Sequence, residues 1–165
     1  MKAIVAVDRN WGIGKDNQLL FSIPQDMKFF RQTTLNKVVV MGANTLKSFP
    51  NGLPLKNRIN VVLSTTLNRD DCIVVDSVDK LLTKLKEFDS DEIFVIGGAK
   101  VYATLLDYCS EVLVTKVDSQ TEADVFFPNL DQMKNWHLFS EGQEILDNGY
   151  TIKFTAYSNS EVKSF

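Results

Sequence analysis

Ile93-Phe94-Val95-Ile96-Gly97-Gly98-Ala99-Lys100-Val101-Tyr102 reads as a strand that runs through paired glycines into a helix. The apolar run before the glycines has no polar face, which suits a strand buried on both sides, the usual state of parallel strands covered by helices. Beyond the glycines, Val101, Tyr102, Leu105 and Leu106 share one helical face. Runs of the same kind recur at Ala3 to Val7, Val38 to Met41, Val61 to Leu63, Ile73 to Val75 and Val112 to Val114. Between them lie helical patterns. From Ser77 to Phe88, Val78, Leu81, Leu82 and Leu85 repeat at helical spacing behind Ser77 as N-cap, and a further helix opens at Pro24 and runs to about Thr34. This alternation predicts one α/β domain over residues 1–165, a central, mostly parallel sheet with helices on both faces, and such sheets bind ligands at the carboxyl ends of their strands. Tyr150 to Tyr157 alternates apolar and polar residues, which predicts an antiparallel C-terminal strand at the edge, able to pair with Trp136 to Ser140.

Composition narrows the function classes. With 44% apolar and 24% charged residues the chain is of ordinary globular make-up, neither disordered nor fibrous. Its apolar runs fall far short of the ~20 residues that cross a bilayer. No hydrophobic leader follows Met1-Lys2, which places the expected protein in the cytoplasm. Eighteen basic against 21 acidic side chains, interspersed, give a net charge of -3, so nucleic acid is not an expected partner. Cys72 and Cys109 lie in no metal-ligand spacing, and a single histidine, His137, argues against a zinc site. Nothing in the pattern calls for more than a monomer.

Several segments can carry chemistry. Gly97-Gly98 lets backbone approach a pyrophosphate at a helix N-terminus, or forms a tight strand-to-helix turn. Met41-Gly42-Ala43-Asn44-Thr45 repeats the design, leading into a short helix toward Phe49, and Ser64-Thr65-Thr66 adds hydroxyls at a third strand end or simply forms a turn. Gly12-Ile13-Gly14 follows the first strand, but Asn17 replaces the third glycine of a dinucleotide fingerprint. A long loop from Asp8 to Ser22 is expected there instead, either a lid or a plain connection, and Val125-Phe126-Phe127-Pro128 reads as a connection. Asp26, in the first turn of the Pro24 helix, shares a face with Met27, Phe30 and Arg31. A carboxylate in that apolar setting gains a raised pKa and becomes a candidate acid or binding group, whereas a plain helix N-terminal charge is the alternative. Arg58, before the strand at Ile59, either forks onto a carboxylate or is a solvated turn arginine.

In this order and spacing the segments resemble dihydrofolate reductase of the short, bacterial kind over essentially the whole chain. The carrying motifs are Ile4-Val5-Ala6 with Asp8; Gly12-Ile13-Gly14; Pro24-Gln25-Asp26-Met27-Lys28-Phe29-Phe30; Val40-Met41-Gly42 with Thr45; Leu55 with Arg58; Leu63-Ser64; Val95-Ile96-Gly97-Gly98 with Val101-Tyr102; and Thr115 with Phe127-Pro128. The resemblance implies a sheet of eight strands, seven parallel and a last antiparallel one, and NADPH extended across the strand ends. It implies hydride transfer to C6 of 7,8-dihydrofolate with protonation of N5, giving tetrahydrofolate for one-carbon metabolism, with antifolate inhibitors as further small-molecule partners.

By the same resemblance Asp26 holds the pterin with help from Thr115, while Leu19 and Phe21 close on the reacting atoms. Ile4, Val5, Ala6, Met27, Phe30, Phe49, Leu55, Ile96 and Tyr102 line the substrate cleft, and Arg58 takes the glutamate α-carboxylate. The cofactor is expected against Ala6, Ile13, Gly14, Asn17 and Leu19; against Gly42, Ala43, Asn44 and Thr45; against Leu63, Ser64 and Thr65; and against Ile96, Gly97, Gly98, Ala99, Lys100, Val101 and Tyr102. The Gly97-Gly98 peptide bond is expected to be cis. In three places the chain departs from the family pattern: Phe21 replaces a usual tryptophan, Leu20 a frequent proline, and Ala43 a basic residue beside the adenosine 2'-phosphate. The alternatives are a pyrimidine reductase of riboflavin synthesis with the same fold, which has no need of Asp26 and Arg58 in these places, and a receiver-like signalling module, which wants an acidic cluster where only Asp8 stands.

Overall fold

The computed structural model describes all 165 residues. Six parallel strands form the body of the sheet: β1 (Lys2–Val7), β4 (Val38–Gly42), β5 (Ile59–Leu63), β6 (Ile73–Val75), β7 (Ile93–Gly97) and β8 (Glu111–Val117). β12 (Tyr150–Asn159) pairs antiparallel with β8, and β10 (Trp136–Glu141) pairs antiparallel with β12, giving the order β10-β12-β8-β1-β7-β4-β5-β6. The C-terminal strand is therefore not the edge strand, as its alternation suggested. It lies one place in, and the edge belongs to β10, whose residues after Trp136 are all exposed. Of the eight strands, the six of the body pair in parallel and two, β10 and β12, pair only antiparallel; β10 still runs in the direction of the six, so β12 alone opposes seven. A short β11 (Ile145–Asp147) folds back on the start of β12.

Helices cover both faces, and strand parity shows which residues face which. Ala3, Val5 and Val7 of β1 and Val112 and Val114 of β8 join the main core with Leu81 and Leu85 of α3 (Val78–Leu85) and Val101 and Leu105 of α4 (Ala99–Leu105). On the opposite face Val39, Met41 and Val62 pack with Leu46 of α2 (Ala43–Ser48). Also on that face, Val117 and Ile152 pack with Ile23, which leads into α1 (Pro24–Thr34). Ser77 caps α3 as its position suggests, its hydroxyl accepting from the Lys80 N–H at 3.1 Å. No helix is long and apolar enough to cross a membrane.

The segment expected as a long loop is instead a hairpin. β2 (Gly12–Lys15) and β3 (Gln18–Leu19) meet through an Asp16-Asn17 turn whose residues have φ of 51° and 62°, the type I′ geometry of two-residue hairpins. The stretch read as a connection supplies the third strand, β9 (Val125–Phe126), paired antiparallel with β2. Periodicity could not show this, because two-residue pairings with polar turns carry almost no hydrophobic pattern.

Asp8 anchors this small sheet. Its Oδ1 accepts from the N–H groups of Asn10 and Gly12 at 2.8 and 2.7 Å, and its Oδ2 from the hydroxyl and N–H of Thr121 at 2.6 and 3.3 Å. Burial pushes the carboxyl up, but these bonds outweigh it and hold Asp8 below the usual carboxylate range. A Cβ on Gly12 would stand 2.5 Å from that of Ala123 and 2.9 Å from Asp8 Oδ2. Gly12→Ala is thus expected to lose roughly 1–3 kcal/mol, as overpacking does, read as a lower urea midpoint with an unchanged slope; an unchanged midpoint would show that the hairpin slides freely on Asp8.

Candidate active site

Asp26 occupies the third position of α1, one turn from where the chain leaves the apolar cluster around Ile23. The helix sets it against β8, where Thr115 Oγ1 donates to its Oδ1 at 2.7 Å. Thr115 is buried and has the same strand parity as Val117, so its hydroxyl emerges on the α1 side of the sheet. Burial pushes the Asp26 carboxyl above its ordinary value, the Thr115 hydrogen bond pulls the other way, and no cation contributes. A half-buried acid without a counter-charge therefore stands at the sheet's ligand-binding side. Tyr102 lies within electrostatic reach. Its hydroxyl donates to the Ile4 carbonyl at 2.6 Å, and burial, then the charge of Asp26, raises its pKa.

Met27 and Phe30 flank this acid on its own helix. Leu19 is 80% exposed, Met27 56% and Leu53 51%, and Leu146 and Phe139 are comparably exposed on strands β11 and β10. Exposed apolar surface rimming a polar group is the mark of a binding cleft. Phe30 is partly covered on the same helix, Phe49 and Leu55 pack on the Val39–Met41–Leu46–Val62 cluster, and Phe21 meets Tyr150 edge-on with centroids 5.3 Å apart. Ile4 and Ala6 face the Asp26 side. Val5 does not: its side chain belongs to the core on the α3–α4 side, as do Val101 and Tyr102.

Arg58 sits beyond Leu55. Nη1 donates to the Lys56 carbonyl at 3.2 Å, whereas the buried Nε has no partner. Burial and then the neighbouring charge of Arg31 lower its pKa. A guanidinium held beside another cation, with a free buried N–H, makes Arg58 a candidate anion-binding group. The loop is shaped by a residue the sequence reading passed over. Asn60 accepts from Leu55 N–H at 3.0 Å and donates to the carbonyls of Leu55 and Arg58 at 2.9 and 3.2 Å. An amide inside the apolar run Ile59-Asn60-Val61-Val62-Leu63 was the available signal, since a buried polar side chain must find partners.

At the other end of the strand tips, α2 and α4 both begin at glycine N-caps, Gly42 and Gly98, with no side-chain cap. The Gly97-Gly98 peptide bond is cis. A Cβ on Gly97 would stand 3.0 Å from Thr45 Oγ1, so the two glycine-led turns face each other closely. Ser64 Oγ accepts from Thr66 and Leu67 N–H at 3.3 and 3.1 Å, which makes it a turn former while leaving its own proton free. Leu63 and Ile96 are half-buried, Asn44, Thr65 and Lys100 are exposed, and Ala43 and Ala99 lie between these extremes. Ile13 and Gly14 are buried in the hairpin, and Asn17 and Leu19 lie at its exposed end. The structure thus brings together the Asp26–Thr115 pair, the apolar side chains beside it and the glycine-led turns along one end of the sheet. Two further hollows, of about 310 Å³ beside α3 and about 380 Å³ beside Asp8 and Lys116, contain none of these groups.

Sequence comparison agrees with this arrangement. A sequence model of the family "Dihydrofolate reductase" matches residues 1–159. The chain is 36% identical to the dihydrofolate reductase of Bacillus subtilis over 158 residues, which covers 93% of this chain and 91% of that one. It is 37% identical to the Haemophilus influenzae enzyme of the same name over 154 residues, covering 92% and 93%, and 36% identical to that of Schistosoma mansoni over 176 residues, covering 95% of each. With the family matched across nearly its whole length, the chain belongs to the dihydrofolate reductases, enzymes that use a nicotinamide cofactor.

Proposed function

We propose that this chain reduces 7,8-dihydrofolate to 5,6,7,8-tetrahydrofolate, with NADPH as reductant, at the cleft between α1 and the strand ends. One observation carries the reading: Asp26, a carboxyl raised by burial and tied to Thr115, is the ionisable group facing an apolar cleft that ends at Arg58. A flat heterocycle with amide-like N–H donors fits that acid, an aromatic linker fits the apolar wall of Met27, Phe30, Phe49 and Leu55, and a carboxylate tail fits Arg58.

The uncapped starts of α2 and α4, with Thr45, Ser64 and Thr65 nearby, offer neutral donors suited to the phosphates of a dinucleotide. Ala6, Ile13, Gly14 and Leu19 would hold its nicotinamide end. NADPH bound there supplies a hydride for C6. Asp26 accepts from the 2-amino group and N3 of the pterin and fixes the ring's orientation. Its pKa, raised by burial, favours uptake of the proton that N5 needs, while Leu19 and Phe21 shield the centre from water.

Asp26→Asn is expected to slow hydride transfer to dihydrofolate by roughly 100-fold at pH 7, and lowering the pH should recover part of the rate as solution protonates the substrate directly. In the unmodified protein the rate should fall as pH climbs through the raised Asp26 value. Stability follows with a definite sign. Because the folded-state pKa is raised, the contribution of Asp26 is fully present below the unfolded value of about 3.9 and is lost as pH rises through the folded one. The empty Asp26→Asn protein should therefore melt at the same temperature or higher. An active but destabilised variant would reduce Asp26 to a helix-end charge.

Arg58→Leu should raise KM for dihydrofolate strongly with kcat within a few-fold, the signature of lost uniform binding, and should leave a pterin without a glutamate tail unaffected. Equal losses on both substrates would make Arg58 structural. With Ala43 in place of a base, NADPH should still be preferred over NADH, and Ala43→Arg should tighten NADPH about tenfold, since a charged hydrogen bond contributes roughly 1.5–3 kcal/mol. Equal affinity of the unmodified protein for both cofactors, measured by fluorescence titration, would remove the 2'-phosphate from this site.

A further inference from the structure

The helix that carries Asp26 begins without a cap of its own. Ile23 holds the N-cap position and offers no side-chain acceptor, and Pro24 has no N–H. The first N–H of α1, that of Gln25, donates instead to Asp147 Oδ2 at 2.8 Å, across 122 positions of sequence.

Asp147 is well held for this task. It ends β11 directly before an Asn148-Gly149 turn whose residues have φ of 52° and 80°, the type I′ geometry of a tight two-residue hairpin, with Asp147 opposite Tyr150. The hairpin is also seated on the residues leading into α1. Tyr150 meets Phe21 edge-on, Ile23 packs with Ile152 beside Ile145 and Tyr150, and Asn148 Nδ2 donates to the Ser22 carbonyl at 2.9 Å.

We propose that Asp147 is a positioning residue for Asp26, the N-terminal cap of α1 supplied from another element. Asp26 follows the capped Gln25 directly, and the first turn of an uncapped helix frays. The Asp26 carboxyl must keep both its Thr115 hydrogen bond and the reach to substrate, and catalysis is sensitive to misplacements of about 1 Å. The acceptor oxygen, rather than the charge, performs this role, so asparagine can replace Asp147.

This inference rests on Asp26 as the group that holds the pterin, and the experiment separates the two. Asp147→Ala and Asp147→Asn are made in the unmodified protein and in the Asp26→Asn background. Three quantities are read: single-turnover reduction of dihydrofolate, folate affinity in the absence of cofactor by fluorescence, and melting temperature. Asp147→Ala should slow hydride transfer and weaken folate by roughly tenfold, well below the melting transition. Asp147→Asn should stay within about twofold. In the Asp26→Asn background, Asp147→Ala should change neither quantity further, because the group it positions is gone. A tenfold loss that persists without the Asp26 carboxyl would show a general structural effect and overturn the proposal, as would an Asp147→Ala protein that binds and reacts normally. Undiminished activity of Asp26→Asn alone would overturn the reading of Asp26 and this inference with it. If Asp147→Ala does not fold, Asp147→Ser, polar but too short to reach Gln25, serves in the same comparison.

Discussion

A parallel sheet covered by helices on both faces offers a ligand only the ends of its strands. Here β1, β4, β5, β7 and β8 all stop on one side, so the groups that can touch a ligand are those near the stops. Gly42, Ser64, Gly97 and Thr115 are each the place where an apolar run gives way to a polar or side-chain-free position. The architecture thus decides where the site lies, and the residue types at the strand ends decide what it can hold.

Two carboxylates, Asp8 buried and Asp26 half-buried, show how the surroundings separate a structural acid from a candidate chemical one. Asp8 has no cation, yet four hydrogen bonds hold it below the normal range. Asp26 also has no cation, but a single hydrogen bond from Thr115 does not offset burial, and its pKa rises. The number of donors aimed at the charged form is the difference. Unmet acceptor capacity at Asp26 opposes folding when the group is ionised and is what a ligand with N–H donors can satisfy. The apolar side chains beside it, Met27 and Phe30, act in the same direction, since they help to desolvate the acid.

The strands, α1, α3 and the glycine-led turns were legible in the sequence because each has a strong local signature: continuous β-branched runs, Pro24 at a helix start, Ser77 at an N-cap. Asp26 was legible as a candidate because three apolar or basic neighbours share its helical face. Three features were not. The β2–β3–β9 sheet is made of short pairings without periodicity, and its partner strand lies more than a hundred residues away. The inward position of β12 depends on β10 adding outside it, a choice of sheet order that alternation alone does not encode. Val5 sits in a run assigned to the cleft, yet alternation of successive side chains turns it to the opposite face of the sheet.

What escaped the sequence shares a physical cause. Asp8 with Thr121, Asp16 with Asp124, Arg9 with Asp118 and Gln25 with Asp147 all join the first 25 residues to the last third of the chain. Each is a polar contact on a turn or helix end, where no hydrophobic period points to a partner. The β2–β3 hairpin and the start of α1 are both fastened by carboxylates from beyond β8, Asp124 and Asp147. The ligand-facing end of the molecule is thereby held by contacts of long sequence separation, whose loop closure costs chain entropy. The fold thus has an apolar centre and a ligand-facing end whose geometry depends on a few carboxylates.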